Sequence, residues 1–248
     1  MYIKNMTVKN FKSFEKIDIE LSNFNVIIGA NASGKSNFIS IFKFINDIQE
    51  YGFDNAISLQ GGIKYLYNSK ITSNEPIEIE IISEVDEQKK EKIKKFYDDF
   101  DLIIPEEFTY FLSIVPQKKS DRYKYIEEQL TISFYPSKTP KKDSKKCTVK
   151  IIKDKNGKVI PKYSDNITKK AKKRLEMMNM IGTIQEKDYS LLLMMNYLFI
   201  PFGLYKNIMK FYDFNVNLLK SPSSIATKLD LKEDGSNLVN VIQRILKN

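Results

Sequence analysis

Residues 26–48 decide the fold and read Val26-Ile-Ile-Gly29-Ala-Asn-Ala-Ser-Gly-Lys35-Ser-Asn-Phe-Ile-Ser-Ile-Phe-Lys-Phe-Ile-Asn-Asp-Ile48. The apolar run Val26–Ile28 lacks polar alternation, which predicts a central strand covered on both faces. Residues 29–36 then match the pattern G-x-x-x-x-G-K-S. Residues 36–48 are apolar around most of a helical circumference, which predicts a helix sandwiched against a sheet. Strand, loop and helix in this order predict a phosphate-binding loop.

The residue types in this loop suit a polyphosphate. Successive backbone N–H groups form a concave nest, the helix N-terminus adds partial positive charge, and Lys35 adds a full charge. In such a loop the lysine spans the β- and γ-phosphates, the Ser36 hydroxyl binds Mg²⁺, and Gly34 admits the ligand close to the backbone. We therefore predict a nucleoside triphosphate with Mg²⁺ as the ligand, and the loop by itself does not distinguish ATP from GTP. The alternative is a glycine-bearing turn between a buried strand and a helix.

Composition narrows the class of protein. The chain has 248 residues, of which 42% are hydrophobic and 29% are charged, as is typical of a globular protein. The most apolar run, residues 191–200, is about half of the ~20 residues that a membrane span needs, so we expect no membrane partner and a cytoplasmic location. Cys147 is the single cysteine and histidine is absent, which excludes an internal disulfide and histidine-based catalysis. Any hydrolysis must use the phosphate loop.

The strand and helix patterns indicate three parts. We predict a P-loop core at residues 1–135, with a small N-terminal sheet and a second, antiparallel group of strands at 77–135. A basic β-hairpin segment follows at 136–174, with its turn at Asn156-Gly157. A helical subdomain is predicted at 175–248.

Three helices are predicted outside the phosphate-loop region. Apolar residues at 93, 96, 97 and 100 follow the spacing of an amphipathic helix. Asp188 or Ser190 is expected to cap a helix that continues to Phe199, and Ser236 or Asn237 is expected to start the last one.

Positive charge is concentrated in one segment. Residues 138–174 contain 15 basic and three acidic residues, a local balance of +12, whereas the whole chain carries +9. This segment is either a nucleic-acid contact or a lysine-rich solvated hairpin. The chain has only three arginines, the residue best suited to guanine readout, so any DNA is expected to be bound through its backbone.

Two N-terminal elements together carry a family resemblance. Residues 10–14 read Asn-Phe-Lys-Ser-Phe, and the phosphate loop with Asn37 follows them. Residues 3–48 thus resemble the opening of ABC-type AAA ATPases, the relatives of RecF, SMC and OLD-type proteins. A weaker resemblance continues through Gln60-Gly61-Gly62 to Asp234-Gly235-Ser236-Asn237-Leu238.

The resemblance implies an α/β fold: a P-loop NTPase of the ABC-ATPase head type with an antiparallel β-subdomain and a helical insert. It further implies which residues form the site. Lys35 would be catalytic and Ser36 would bind Mg²⁺. Gln60 would sense Mg²⁺ and the attacking water, or else be a polar turn residue. The implied nucleotide-binding residues are Lys12, Ser13, Gly29, Asn31, Ala32, Ser33, Gly34, Lys35, Ser36 and Asn37.

The chain also departs from the family pattern. Ala32 stands where SMC-like loops usually have glycine, and neither a signature Ser-Gly-Gly-like motif nor a buried acidic strand is found. Without that carboxylate we expect poor hydrolysis by this chain alone. It is then the N-terminal portion of a longer ATPase, one piece of a split ATPase, or a remnant that binds without turnover.

Three functions follow as hypotheses. The first is an ATP-binding head, acting as a homodimer or in an ATPase complex, whose nucleotide state controls dimerisation in DNA repair or antiphage defence. The second is a switch subunit that holds nucleotide without hydrolysing it and gates an effector protein. The third is a protein that binds nucleic acid through 138–174.

Overall fold

The computed structural model describes residues 2–70, 75–96, 104–117, 122–135, 144–169, 172–173, 190–192, 209–219 and 230–246. The chain forms two compact units, Met1–Lys206 and Asn207–Asn248. The three-part division into 1–135, 136–174 and 175–248 stays a prediction. No helix in the described part of the chain is long and apolar enough to cross a membrane.

One antiparallel sheet dominates the first unit. Its seven strands lie in the order β2-β1-β3-β4-β5-β6-β7, and every neighbouring pair is antiparallel. The strands are β1 (Tyr2–Phe11), β2 (Phe14–Glu20), β3 (Ile77–Glu84), β4 (Pro105–Gln117), β5 (Arg122–Phe134), β6 (Cys147–Lys153) and β7 (Val159–Tyr163). The N-terminal strands, the middle strands and the basic hairpin were expected as separate groups. They share one sheet because β1 pairs with both β2 and β3.

Period-2 alternation gives the sheet one apolar and one polar face. Val8 pairs with Ile79, which pairs with Leu112, and all three side chains are completely buried. The adjacent row, with Thr7 opposite Glu80, belongs to the other, more exposed face. Each strand thus buries alternate residues, as its sequence predicts.

The helices of the first unit are α1 (Lys35–Tyr51), α2 (Phe53–Leu59), a short 3₁₀ turn (Ile63–Tyr65) and α3 (Glu87–Phe96). Helix α1 buries Ile41, Phe44, Ile45 and Ile48, a stripe at helical spacing, and the Phe44 ring lies 6.0 Å from that of Phe11 in β1. Ile39 is 42% exposed. Helix α1 therefore packs against the sheet, as predicted, but it buries one stripe and not most of its circumference.

The predicted central strand at Val26–Ile28 was wrong. These residues belong to no strand and are 68%, 44% and 87% exposed. A strand covered on both faces needs neighbouring strands and a second layer. The described residues place neither beside this segment, because the whole sheet is built from other strands.

The remaining helix predictions have mixed outcomes. Helix α3 ends at Phe96, and Tyr97 and Phe100 lie outside the described residues. Ser190 caps the start of the next helix, because its Oγ accepts a hydrogen bond of 3.0 Å from the Leu192 amide. Residues 193–199 lie outside the described part of the chain.

The second unit contains α4 (Val216–Leu219) and α5 (Leu238–Ile245). Asn237 precedes α5, as predicted, and is 1% exposed. Its side chain accepts from the Lys232 amide at 2.8 Å and donates to the Asp230 carbonyl at 2.9 Å. The Asp234–Asn237 phrase is thus held as a tight loop ahead of α5.

Candidate nucleotide-binding site

The phosphate loop has an unusual backbone conformation. Ala32 and Gly34 have φ values of 62° and 98°, both in the left-handed region, and the Ser33 amide donates to the Ala30 carbonyl at 3.3 Å. Left-handed residues beside ordinary ones turn successive amides toward the same side, which is the geometry of an anion-binding nest. The loop is therefore shaped for an anion, although one of its two left-handed positions is occupied by Ala32 and not by glycine.

Helix α1 begins with unfilled donors. Gly34 is its N-cap and offers no side-chain hydrogen bond, and no acidic residue lies in the first turn. Among the described residues, the amides of Lys35, Ser36 and Asn37 donate to no atom of the chain. Unfilled N-terminal amides and the positive end of the helix dipole both attract a phosphate.

Lys35 lies across the loop. Its Nζ donates to the carbonyl oxygens of Gly29 and Ala30 at 2.8 and 2.7 Å, and lies 3.5 Å from Ser33 Oγ. The ammonium group is thereby held at the loop, beside the free amides of its own helix. A phosphate oxygen that enters the nest would meet a full positive charge within reach.

The β1–β2 turn forms one wall of the site. Ser13 Oγ accepts a hydrogen bond of 2.8 Å from Asn37 Nδ2, which joins the turn to the first turn of α1. A Cβ placed on Gly34 would lie 3.3 Å from the Phe14 ring and 3.4 Å from Ser13 Oγ. The Asn-Phe-Lys-Ser-Phe element therefore packs against the phosphate loop, as the resemblance implies.

The other residues of that element are structural. Asn10, which is 3% exposed, donates to the Glu75 carbonyl at 2.8 Å and accepts from the Asn68 amide at 3.0 Å. Phe11 is fully buried in the core. This leaves Lys12, Ser13 and Phe14, of which Ser13 and Phe14 lie against the phosphate loop and the first turn of α1.

Lys12 is linked to α1 through Gln60. Lys12 Nζ donates to Gln60 Oε1 at 2.9 Å, and Gln60 Nε2 donates to Asp47 Oδ2 at 3.4 Å. Burial lowers the pKa of Lys12 below its ordinary value and raises the pKa of Asp47. The three side chains connect the β1–β2 turn, the end of α2 and the C-terminal half of α1.

The structure brings most of the predicted site residues into one region. Gly29, Asn31, Ala32, Ser33 and Ser36 lie on the exposed loop and the first turn of α1, together with Gly34, Lys35 and Asn37. Ser13 bonds Asn37, and Lys12 bonds Gln60. The roles of these residues toward nucleotide and Mg²⁺ stay predictions, including that of Gln60, whose carbonyl oxygen is engaged by Lys12.

Sequence reasoning missed a buried polar cluster on the apolar face of the sheet. Glu128 is fully buried. Its carboxylate accepts hydrogen bonds of 2.7 Å from both Tyr110 Oη and Ser190 Oγ, and the Leu191 amide donates to its two oxygens at 3.1 and 3.0 Å. Lys153 Nζ lies 3.9 Å from the carboxylate. Burial raises the pKa of this carboxyl, which the neighbouring donors oppose. The sequence did carry a signal for this burial, because Glu128 alternates along β5 with Ile126 and Leu130 and therefore lies on the same face as they do.

The basic segment has a defined geometry in its described part. Strands β6 and β7 form the predicted hairpin, with Gly157 at φ 81° in its turn. Lys150 and Lys162 stand directly opposite each other on the polar face. Among the described residues, no carboxylate lies within ion-pair distance of either.

A G-x-x-x-x-G-K-S loop at the start of α1, in a chain that also forms an antiparallel sheet, fits a P-loop ATPase of the α/β class. The model of the family described as "AAA ATPase domain" matches residues 1–243, and the chain belongs to that family. The predicted fold class and the resemblance to RecF-, SMC- and OLD-like ABC-type ATPases are confirmed.

Several named relatives match the N-terminal part. The chain is 46% identical over 56 residues to the endonuclease GajA of Bacillus cereus, which covers 22% of this chain and 10% of that protein. It is 31% identical over 84 residues to the DNA replication and repair protein RecF of Lactobacillus acidophilus, covering 30% and 22% of the two chains. The chain thus spans less than a quarter of the length of either protein.

One solved structure, from work on ATP-driven dimerisation of SMC ATPases, matches with a TM-score of 0.33 and 18% identity. The match covers 64% of this chain and 72% of that one.

Proposed function

We propose that the chain binds Mg²⁺–ATP at residues 29–37 and serves as a nucleotide-controlled ATPase head. One observation carries the proposal: the first amides of α1 are unfilled and Lys35 lies across the loop beside them. The unfilled amides fit a polyphosphate because the helix fixes them before the ligand arrives. Bound ATP would supply the phosphoryl group and Mg²⁺ would neutralise part of its charge.

Within this function, each residue of the chain has a distinct task. The Lys35 ammonium would move from the Gly29 and Ala30 carbonyls to phosphate oxygens, and the Ser36 hydroxyl is the candidate Mg²⁺ ligand. Asn31 would lie near the γ-phosphate. Ser13 would hold Asn37 and keep the β1–β2 turn against the loop.

Family membership supports the wider setting of the proposal. We infer that nucleotide binding controls assembly of a homodimer or ATPase complex, and that this complex acts on DNA in repair or antiphage defence. Named relatives include a RecF protein and the endonuclease GajA. A cytoplasmic location goes with this proposal, as does the alternative of a switch subunit that gates an effector protein without turnover.

Calorimetry with Mg²⁺ and ATP tests the binding site. We expect wild type to bind and Lys35→Ala to bind at least tenfold more weakly, because a charge-assisted contact to phosphate is worth about 1.5–3 kcal/mol. Lys4→Ala is the matched control, since it removes the same charge from an exposed position near the end of β1 that is remote from the β1–β2 turn.

Equal affinity of Lys35→Ala and wild type would remove the proposal. Measuring phosphate release by the isolated chain then distinguishes the ATPase head from the switch subunit, because sustained turnover contradicts a subunit that only holds nucleotide.

A second candidate function is contact with the phosphate backbone of nucleic acid through the β6–β7 hairpin. Like charges directly opposite each other in a sheet are unfavourable, and the Lys150–Lys162 pair would be relieved by a bound polyanion. Binding of duplex DNA should weaken steeply between 50 and 200 mM salt. The double variant Lys150→Gln/Lys162→Gln should weaken it and flatten the salt dependence, whereas Lys16→Gln should not. A salt-independent affinity would contradict this candidate.

A further inference from the structure

A cleft lies between helix α2, the turn that follows this helix and the start of β5. Its volume is about 660 Å³, which is within the range of pockets that hold a small organic ligand. The polar and glycine residues that line it are Asp54, Ser58, Gly61, Gly62, Arg122 and Tyr123. In the described part of the chain, no residue of the phosphate loop lines this cleft. The cleft is therefore a feature that the proposed ATP site does not use.

Two glycines form the turn at one side of the cleft. Gly61 and Gly62 have φ values of 90° and 104°, and their amides donate to carbonyl oxygens of α2 at 2.9 and 3.0 Å. A Cβ placed on Gly61 would lie 3.1 Å from Tyr65 Cδ2, so the Tyr65 ring packs directly against the turn. This ring is 59% exposed, and Lys64 Nζ lies 5.1 Å from its centroid. The turn thus presents an exposed aromatic ring and a cation beside the cleft.

A second aromatic ring is held in the cleft by a hydrogen bond. Tyr123 Oη donates to Asp54 Oδ1 at 2.7 Å, which joins the start of β5 to α2. The bond fixes the orientation of the Tyr123 ring, and a ring that is ordered in advance costs little entropy when a ligand packs on it. Asp54 is the acidic residue among those that line the cleft, and this hydrogen bond engages one of its oxygens.

Arg122 supplies a positive charge to the same cleft. Its side chain is exposed, and no carboxylate of the described ranges lies within ion-pair distance of it. A guanidinium group binds phosphate through paired N–H donors and also stacks on planar rings. The cleft therefore combines a phosphate-binding cation with aromatic surface.

We propose that this cleft and the Tyr65 ring beside it bind a short run of unpaired nucleotides in single-stranded nucleic acid. Bases stack on Tyr65 and Tyr123, and Arg122 contacts the phosphates. Cations combined with aromatic stacking surfaces bind single strands with little sequence preference, because every base has a π-face. Duplex DNA keeps its base faces inside the helix and cannot use the two rings. The site is separate from the β6–β7 hairpin, and the inference does not depend on ATP binding.

Fluorescence anisotropy of a labelled oligothymidine of about 12 nucleotides, without ATP, tests the stacking. We expect Tyr65→Ala and Tyr123→Leu each to weaken binding at least about fivefold, the lower end of what one base–aromatic stack contributes. Tyr65→Phe keeps the ring and should bind like wild type. Tyr2→Ala is the matched control, because Tyr2 is also exposed but lies at the opposite end of the sheet from Arg122.

The salt dependence of the same titration tests Arg122. Each phosphate contact to a single strand adds about 0.7 to the slope of log affinity against log salt. Arg122→Ala should weaken binding and lower the slope by about this amount, whereas Arg122→Lys should keep the slope. Lys4→Ala, which removes an exposed charge near the start of β1, should change neither quantity.

Several results would overturn the proposal. Wild type could fail to bind the oligonucleotide, Tyr65→Ala could bind as tightly as wild type, or unlabelled duplex could compete as well as unlabelled single strand. Loss of binding in Lys150→Gln/Lys162→Gln, with Arg122→Ala unaffected, would place the contact on the hairpin instead. Circular dichroism verifies folding of each variant. If Tyr123→Leu does not fold, the comparison of Tyr65→Ala with Tyr65→Phe decides the stacking.

Discussion

At the scale of single residues, the phosphate loop depends on two positions with left-handed backbone. Ala32 at φ 62° occupies a region that costs an L-residue about 1 kcal/mol, and yet the loop retains its turn. Gly34 at φ 98° lies further from any conformation that a side chain tolerates. The glycine absent at position 32 is thus replaceable at modest cost, whereas Gly34 is required by both conformation and space.

Substitution at Gly34 should therefore be costly. We expect Gly34→Ala to lower the free energy of unfolding by about 1–3 kcal/mol, because it combines backbone strain with a Cβ 3.3 Å from the Phe14 ring. Ala32→Gly is the control, for which we expect a change of less than about 1 kcal/mol, since relief of strain is offset by greater unfolded-state entropy. Urea unfolding measures both. A Gly34→Ala protein as stable as wild type would show that the loop has another conformation.

At the scale of elements, β5 and the segment at Ser190–Leu192 are tied together by Glu128. The carboxylate accepts hydrogen bonds from the helix start and from Tyr110, so the apolar face of β5 carries one buried acidic residue. Burial raises its pKa above the ordinary value of 4.5. An acid whose pKa is higher in the folded state favours folding below its unfolded pKa, and that contribution is lost as pH rises through the folded pKa.

The pH dependence of stability should reveal this cluster. Relative to Glu128→Gln, which does not titrate, wild type should lose stability as pH rises from about 4 toward neutrality. Each unit by which the folded pKa exceeds the unfolded one corresponds to about 1.4 kcal/mol. Glu127→Gln, on the opposite face of the same strand, is the control and should show no comparable trend. Urea unfolding across pH 4–8 checks this, and a stability difference that does not change with pH would contradict it.

At the scale of the whole molecule, the sheet and the phosphate loop are organised differently from what local patterns suggested. All seven strands join one antiparallel sheet, and the described residues give the Val26–Ile28 segment before the loop no neighbouring strand. The segment is exposed although it reads as a buried strand. An apolar run shows that a segment is suited to burial, but burial also requires a surface to cover it.

The sequence by itself determined the position of the phosphate loop, the alternation of the strands, the hairpin turn at Gly157 and the start of α5 after Asn237. These features depend on residues close together in the chain, where spacing and backbone preference are sufficient. The tertiary structure alone decided that β1 lies between β2 and β3, that Glu128 is buried, and that Asp47 and Lys12 meet at Gln60. Each of these joins residues distant in sequence, and local periodicity carries no information about which partner a face or a side chain will find.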